Sequence, residues 1–204
     1  MTPVQDYRGV NKYTVQNRYP LPLIPELIAE VQDVFVFTKF DIEGGFNKVC
    51  IKNRDQHKAA FKTKYGLYEP MVMYFGLCNS PATFQNMMNH IFRPLKDKWA
   101  KKGVKIIVYM DDILIATSTS LQDHRDTTHD VLDLLQEHNL FLKKKKCRWE
   151  VNSIDYLGLI VTDAHILSYF SVFYTDLFDK VFVFESLSLD MIRWSVMCCH
   201  HMHR

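Results

Sequence analysis

Cysteine is scarce in this 204-residue chain: there are five, and Cys50, Cys78 and Cys147 are widely scattered. That excludes a disulfide framework and points to a reducing compartment. Long apolar runs are missing too; none approaches the ~18 residues that a membrane span requires. The start, Met1-Thr2-Pro3-Val4-Gln5-Asp6, has neither a basic stretch nor an apolar core of the secretory kind. An intracellular setting, cytoplasm or nucleus, with no membrane partner, is therefore expected. Charge of one sign is lacking as well. The 25 Lys and Arg nearly balance the 23 Asp and Glu, and a net +2 does not decide for or against nucleic acid. Glycine and proline disappear late: all 7 of each precede residue 159, which leaves 163–204 without strong turn punctuation.

What is present suits a folded protein. Hydrophobic residues at 48% and charged residues at 24% are ordinary globular values, enough for one or two small domains with a real core. Residues 163–204 hold 3 Lys or Arg and 5 acids, so residues 1–162 carry 22 basic and 18 acidic groups, a balance of +4. A mildly basic body is compatible with phosphate binding but does not require it.

Along the chain, Arg18-Tyr19-Pro20-Leu21-Pro22-Leu23-Ile24-Pro25 reads as a stiff extended connector. A short helix follows to about Gln32, with Leu27, Ile28 and Val31 on one side. Val34 to Phe40, β-branched and aromatic, predicts a buried strand ending on Asp41. Gly44-Gly45 breaks it; Phe46–Ile51, Lys58–Lys64 and Met71–Phe75 are further strand candidates. Ser80-Pro81 starts a helix, whose apolar face is Phe84, Met87, Met88, Ile91 and Phe92 and which Pro94 is expected to stop. Val104–Val108 and Ile113–Ala116 flank Tyr109-Met110-Asp111-Asp112 as a β-hairpin. A second amphipathic helix spans about Ser120 to His138, with Val131, Leu134 and Leu135 inward. Strands near Leu140–Leu142 and Ile154–Val161 complete an α+β pattern: an antiparallel sheet with helices packed on one face.

The sharpest chemical feature is Asp111-Asp112 between two apolar strands, with Asp41 at the end of a third. Buried carboxylates cost several kcal/mol each, on the order of 3–5, unless cations or donors compensate. Two divalent ions would do so, and oxygen-only ligands suit Mg²⁺, with Mn²⁺ as a substitute. In-line phosphoryl chemistry uses such a pair. Taken alone, composition and spacing favour a plainer reading, a solvated Asp-Asp turn.

The neighbouring blocks change that balance. Asp6-Tyr7-Arg8-Gly9-Val10-Asn11-Lys12 and Asn17-Arg18-Tyr19-Pro20-Leu21-Pro22 come first, then Phe40-Asp41-Ile42 with Gly45-Phe46. Phe75-Gly76-Leu77-Cys78-Asn79-Ser80-Pro81-Ala82-Thr83-Phe84-Gln85 precedes Tyr109-Met110-Asp111-Asp112. Leu142 through Lys146-Cys147 and Tyr156-Leu157-Gly158 follow. In this order and spacing, residues 5–161 resemble the reverse transcriptase of gypsy-type long-terminal-repeat retrotransposons. The resemblance implies a fingers-palm fold, with 1–15 and 49–79 as partial fingers, 16–48 and 80–161 as palm, and 162–204 as a poorly ordered tail outside the pattern. It implies an RNA-directed DNA polymerase, a nucleotidyltransferase that extends a primer on an RNA or DNA template with deoxynucleoside triphosphates. As part of a full polyprotein, such a domain would enter a virus-like particle.

By position, Asp41, Asp111 and Asp112 would hold two Mg²⁺ ions, with the Ile42 carbonyl as an extra ligand. Phe46 would crowd the ribose 2′ position, Phe75 line the nucleotide pocket, and Lys146 approach the triphosphate. Arg8 would lie near the template, Tyr109 and Met110 near the template and primer, and Tyr156-Leu157-Gly158 would grip the primer. Without the resemblance, Phe46 and Phe75 read equally as core aromatics, Lys143–Lys146 as a solvated strand end and Arg8 as a surface residue. His124, His129 and His138 lack a zinc-helix spacing, and adjacent Cys198-Cys199-His200-His201 cannot wrap a metal tetrahedrally.

Three departures from the family pattern stand out. Its fingers begin well upstream of Asp6. Met73-Tyr74-Phe75-Gly76 stands where Met-Pro-Phe-Gly is usual, and Lys144-Lys145-Lys146-Cys147 where Pro-Glu-Lys-Cys is usual. After Thr162 no thumb or ribonuclease H pattern follows. A slow polymerase is expected, with a remnant that only binds nucleic acid as the alternative and a two-carboxylate phosphohydrolase as a remote third.

Overall fold

A computed structural model describes residues 5–162 and the backbone of 166–168. Its centre is a four-stranded antiparallel sheet, in the order β4-β5-β1-β6, formed by β1 (Val36–Asp41), β4 (Val104–Tyr109), β5 (Asp112–Thr117) and β6 (Arg148–Val151). β2 (Phe61–Thr63) and β3 (Gly66–Tyr68) make a separate hairpin. β7 (Ser153–Tyr156), β8 (Leu159–Thr162) and β9 (Ile166–Ser168) make a small three-stranded sheet. Among the described residues, four α-helices accompany them: α1 (Arg8–Tyr13), α2 (Ile24–Ala29), α3 (Ser80–Ala100) and α4 (Leu121–Glu137).

The central strands are apolar on both faces because both faces are covered. Phe40, Ile42, Ile106, Val108, Ile113 and Ile115 meet α3 and α4 through Phe84, Met88, Phe92, Trp99, Val131 and Leu135. The alternate residues Phe37, Ile107, Leu114 and Ala116 meet Leu27 and Val31 of the α2 region and Ile154, Tyr156 and Val161 of β7 and β8. Period-two alternation thus sends one half of each strand to the long helices and the other half to the small sheet. The long helices do lie on one face, as expected from the sequence; the opposite face is capped rather than bare.

Ser120 Oγ accepts the Asp123 N–H at 3.0 Å and caps α4. Pro81 sits in the first turn of α3 as expected, but Ser80 does not cap it: Asn79 holds the cap position without a side-chain bond, and Ser80 Oγ donates to the Tyr74 carbonyl at 3.1 Å. Beneath them, His124 is fully buried between strands: Nε2 lies 2.7 Å from Thr38 Oγ1 and Nδ1 2.7 Å from Thr117 Oγ1. Thr38 Oγ1 also accepts the Glu150 N–H at 3.1 Å, so one histidine ties β1, β5, β6 and α4 together.

Several expected elements differ. Pro94 does not stop α3; the helix continues six residues to Ala100. The ring is exposed, and beyond it Trp99 is buried with its indole N–H donated to Asp130 Oδ2 at 2.8 Å. That anchoring outweighs the hydrogen bond that a helical proline forfeits. Phe46–Ile51 is not extended: Gly45–Lys48 forms a 3₁₀ turn, entered through left-handed Gly44 at φ 60°. Met71–Phe75 is not a strand; only the isolated Cys50–Val72 bridge links it to its neighbour. Leu140–Leu142 likewise contributes only an Ile42–Leu142 bridge. Lys58–Lys64 shrinks to β2, preceded by a 3₁₀ turn at Gln56–Ala59. Strand β6 was not legible from its alternation. The expectation for the tail falls on 163–204, where only the backbone of 166–168, paired with β8, lies within the described residues.

Candidate active site

Strand register brings two of the acids together. Asp41 is the cross-strand partner of Asp112, so both side chains leave the sheet on the same face. Met110 and Asp111 form the two-residue tip between Tyr109 and Asp112, which pair directly. The Ile42 N–H donates to the Asp111 carbonyl at 2.8 Å, lacing the tip to the end of β1. Asp41, Asp111 and Asp112 therefore share one edge of the central sheet.

The tip is strained and held. Met110 has φ 53°, the left-handed region that costs a branched or long side chain roughly 1 kcal/mol. Fully buried Gln85 of α3 secures it, its Oε1 accepting the Met110 N–H at 2.7 Å and its Nε2 donating to the Val108 carbonyl at 3.0 Å. In the sequence Gln85 stands only as the last residue of the block that begins at Phe75, with no role of its own. The signal was there: Gln85, Met88 and Phe92 lie at helical spacing on the buried face, where an unpaired amide would be costly.

Lysines surround the acids. Lys39 Nζ lies 3.4 Å from Asp112 Oδ1. Lys143 Nζ lies 2.8 Å from Asp41 Oδ1 and Lys146 Nζ 3.0 Å from Asp41 Oδ2. Burial pushes the Asp41 carboxyl up, but the Lys143 and Lys146 ammonium groups outweigh it and hold the acid below its usual range. Asp112 goes the other way. Burial raises it, Lys39 only partly opposes this, and Asp111 and Asp41 add like-charge repulsion. The Lys146 ammonium is raised by its bond to Asp41. Backbone pairing puts Lys143 there, since its N–H donates to the Asp41 carbonyl at 2.8 Å. Lys39 was readable from alternation, two residues before Asp41 on the same face; Lys143 was not, because its approach depends on a single long-range bridge.

Beside the acids is a cleft of about 250 Å³, lined by Asp111, Lys143, Glu43, Phe46, Phe75 and Phe84 among others. Phe46 is both core and wall: it is buried, with ring centroids 4.8 Å from Phe75 and 5.4 Å from Phe84. Phe75 is 43% exposed and faces solvent on its other side. Gly45 allows this packing, since a Cβ there would come within 2.6 Å of Phe84 Cζ. Two asparagines fix the loop that carries Phe75. Asn11 donates to the Gly76 carbonyl at 2.7 Å and accepts the Cys78 N–H at 2.9 Å, and Asn79 accepts the Asn17 N–H at 2.9 Å.

The remaining candidates divide. Tyr156 is fully buried under the acid-bearing face, with Lys39 Nζ 5.7 Å from its ring centroid. Leu157 at φ 53° and Gly158 at φ 80° turn β7 into β8. Burial raises the Tyr156 phenol, and its hydroxyl has no hydrogen-bond partner. Tyr109 packs beside the same hairpin. Arg8 is not at the cleft; its side chain is 90% exposed and forks onto Asp6, whose pKa the Arg8 hydrogen bonds lower to about 2.

The donor chemistry fits hard divalent ions. All three side chains offer oxygen, and buried Asp41 Oδ1 has no aligned hydrogen bond although Lys143 is near. Among the described residues, no three His, Cys, Asp or Glu side chains are drawn together tightly enough to enclose one ion. Also among them, no helix is long and apolar enough to cross a membrane.

Residues 1–161 match the model of the family "Reverse transcriptase (RNA-dependent DNA polymerase)", a family typically served by divalent metals. The chain is 40% identical over 159 residues to the retrovirus-related Pol polyprotein from transposon 297 of Drosophila melanogaster, covering 78% of this chain and 14% of that protein. It is 35% identical over 160 residues to the transposon Tf2-3 polyprotein of Schizosaccharomyces pombe, covering 78% and 12%. It thus spans about an eighth of these relatives. Among solved structures, a foamy viral protease-reverse transcriptase in complex with RNA/DNA hybrid superposes with a TM-score of 0.74 at 21% identity, over 87% of this chain and 23% of that one. A second structure of that enzyme, with double-stranded DNA, gives 0.74 at 20% identity, over 85% and 29%. The chain belongs to the reverse transcriptase family.

Proposed function

We propose that this chain is the palm and adjoining fingers of an RNA-directed DNA polymerase, and that Asp41, Asp111 and Asp112 are its catalytic residues. The observation that carries the reading is the Asp41–Asp112 register, with Asp111 laced to Ile42 beside a cleft walled by Phe46 and Phe75. Two Mg²⁺ ions held by these acids and the Ile42 carbonyl, or Mn²⁺ in their place, would activate the primer 3′-hydroxyl and neutralise the leaving pyrophosphate. The residues themselves supply position. Gln85 fixes the hairpin tip and Lys39 orients Asp112. Phe46, rigid between two rings, sets a wall against which a ribose 2′-hydroxyl would clash. Phe75 offers an exposed ring to the nucleotide, and Lys146, already beside Asp41, faces the triphosphate. The Leu157-Gly158 turn, supported by buried Tyr156, holds the primer end with Tyr109 and Met110, and Arg8 reaches the template from the fingers. The setting is intracellular.

One observation favours the remnant reading: both Asp41 oxygens already face ammonium groups. A labelled primer on a homopolymer RNA template, with Mg²⁺ and the matching triphosphate, separates the classes. Longer products identify a polymerase, shorter ones a phosphohydrolase, and an unchanged primer that is nevertheless retained on the protein a binding remnant.

A further inference from the structure

Lys143 and Lys146 meet Asp41 in different ways. Lys146 makes an aligned hydrogen bond to Oδ2 and its side chain is 63% exposed. Lys143 is only 35% exposed, and although its Nζ lies 2.8 Å from Oδ1, that oxygen has no aligned hydrogen bond. A poorly aligned contact gives up less when displaced than a well-directed bond does. Lys143 also lines the cleft with Asp111, Phe46 and Phe75, whereas Lys146 does not. Its main chain is anchored through the bond to the Asp41 carbonyl, so a swing involves only the flexible four-carbon stem.

A divalent ion and an ammonium group cannot both occupy Asp41 Oδ1, because at contact distance the two cations repel. Displaced from the acid, the Lys143 ammonium stays in the cleft wall, where a polyanion is the natural partner. Resting on the polymerase reading, we propose that Lys143 is a nucleotide-positioning residue. It neutralises Asp41 while the divalent ions are away, and moves to a phosphate oxygen of the incoming deoxynucleoside triphosphate when they bind.

This role makes two affinities move in opposite directions, which a merely structural lysine would not do. Removing the ammonium deletes a competitor of the metal and, separately, a ligand of the triphosphate. The test titrates Mn²⁺ alone, by electron paramagnetic resonance, into the unmodified chain, Lys143→Gln, Lys143→Arg and Asp111→Asn. Binding of thymidine triphosphate at saturating Mn²⁺, without primer, follows by equilibrium dialysis. Lys143→Gln is expected to bind Mn²⁺ on the order of threefold more tightly and the triphosphate on the order of tenfold more weakly. Lys143→Arg, which keeps the charge, should recover the triphosphate affinity. Unchanged Mn²⁺ affinity in Lys143→Gln, or a parallel loss of both affinities, overturns the assignment. If Asp111→Asn loses Mn²⁺ while Lys143→Gln matches the unmodified chain, the polymerase reading stands and only the role of Lys143 falls. If Asp111→Asn binds Mn²⁺ normally, the metal site itself is wrong and the role of Lys143 goes with it.

Discussion

Gln85 and Met110 are joined across the sheet edge: the side-chain oxygen of the glutamine accepts the backbone N–H of a residue held at φ 53°. The same amide donates to Val108, so one side chain satisfies both the end of β4 and the first residue of the tip. Gln85→Leu keeps the bulk and leaves a half-buried N–H and a buried carbonyl without this partner, at about 1–3 kcal/mol each. Denaturant unfolding should show a loss of about 2–4 kcal/mol. The tip would relax, and since ~1 Å of displacement can cost ~10²-fold in rate, activity should fall further than stability explains. Unfolding and activity both unchanged would remove Gln85 from the site.

Gly45→Ala tests the cleft wall. The added methyl carbon would sit 2.6 Å from Phe84 Cζ, so that ring, and Phe46 packed edge-to-face against it, must shift. Overpacking of this kind costs about 1–3 kcal/mol. Thermal unfolding should show the loss, and triphosphate affinity should fall with it. A variant as stable as the parent would mean that the Phe84 ring has room to move.

His124 makes stability depend on pH. Burial lowers its pKa below the ordinary 6.5, so the folded chain keeps it neutral where the unfolded chain takes up a proton. Stability from this group is complete above about pH 6.5 and is lost as the pH falls from there towards the folded pKa. Protonation would also turn both ring nitrogens into donors, so the threonine hydroxyl that had donated to the ring must rotate to accept and give up its own acceptor. Denaturant midpoints measured from pH 7.5 to 5 should fall, and His124→Gln should flatten the slope. An equal slope in both chains would assign the pH dependence elsewhere.

Pro94→Ala should stabilise the protein. The ring is exposed within a continuous helix, so it contributes little packing while removing a backbone hydrogen bond. A gain of about 1–3 kcal/mol in denaturant unfolding is expected. A loss would show that the proline shapes a bend that the Trp99 anchorage requires.

Strand alternation and helical spacing made the central sheet legible: β1, β4, β5, α4 and the start of α3 fall where the sequence places them. Elements fixed by distant partners were not. Pro94 looked like a stop because the Trp99–Asp130 bond that carries the helix past it joins residues 31 apart. Phe46–Ile51 looked extended because its residues are β-formers, yet the left-handed Gly44 turns the chain into a 3₁₀ segment. The acids were legible as a set only through the collinear blocks around them, since Asp111-Asp112 alone reads as a turn. Lys146 was legible through the resemblance, but that it and Lys143 reach Asp41 was not, for the same reason as α3's extension: the Lys146 bond spans 105 positions.

The central claim is that Asp111 acts through its charge at the sheet edge. The direct measurement is primer extension on homopolymer RNA with Mg²⁺, comparing the unmodified chain with Asp111→Asn, which keeps shape and removes charge. Extension by the unmodified chain, even slow, with a loss of roughly 10²-fold or more in Asp111→Asn, is the predicted result. Equal extension by both chains, or the same background in both, would contradict it.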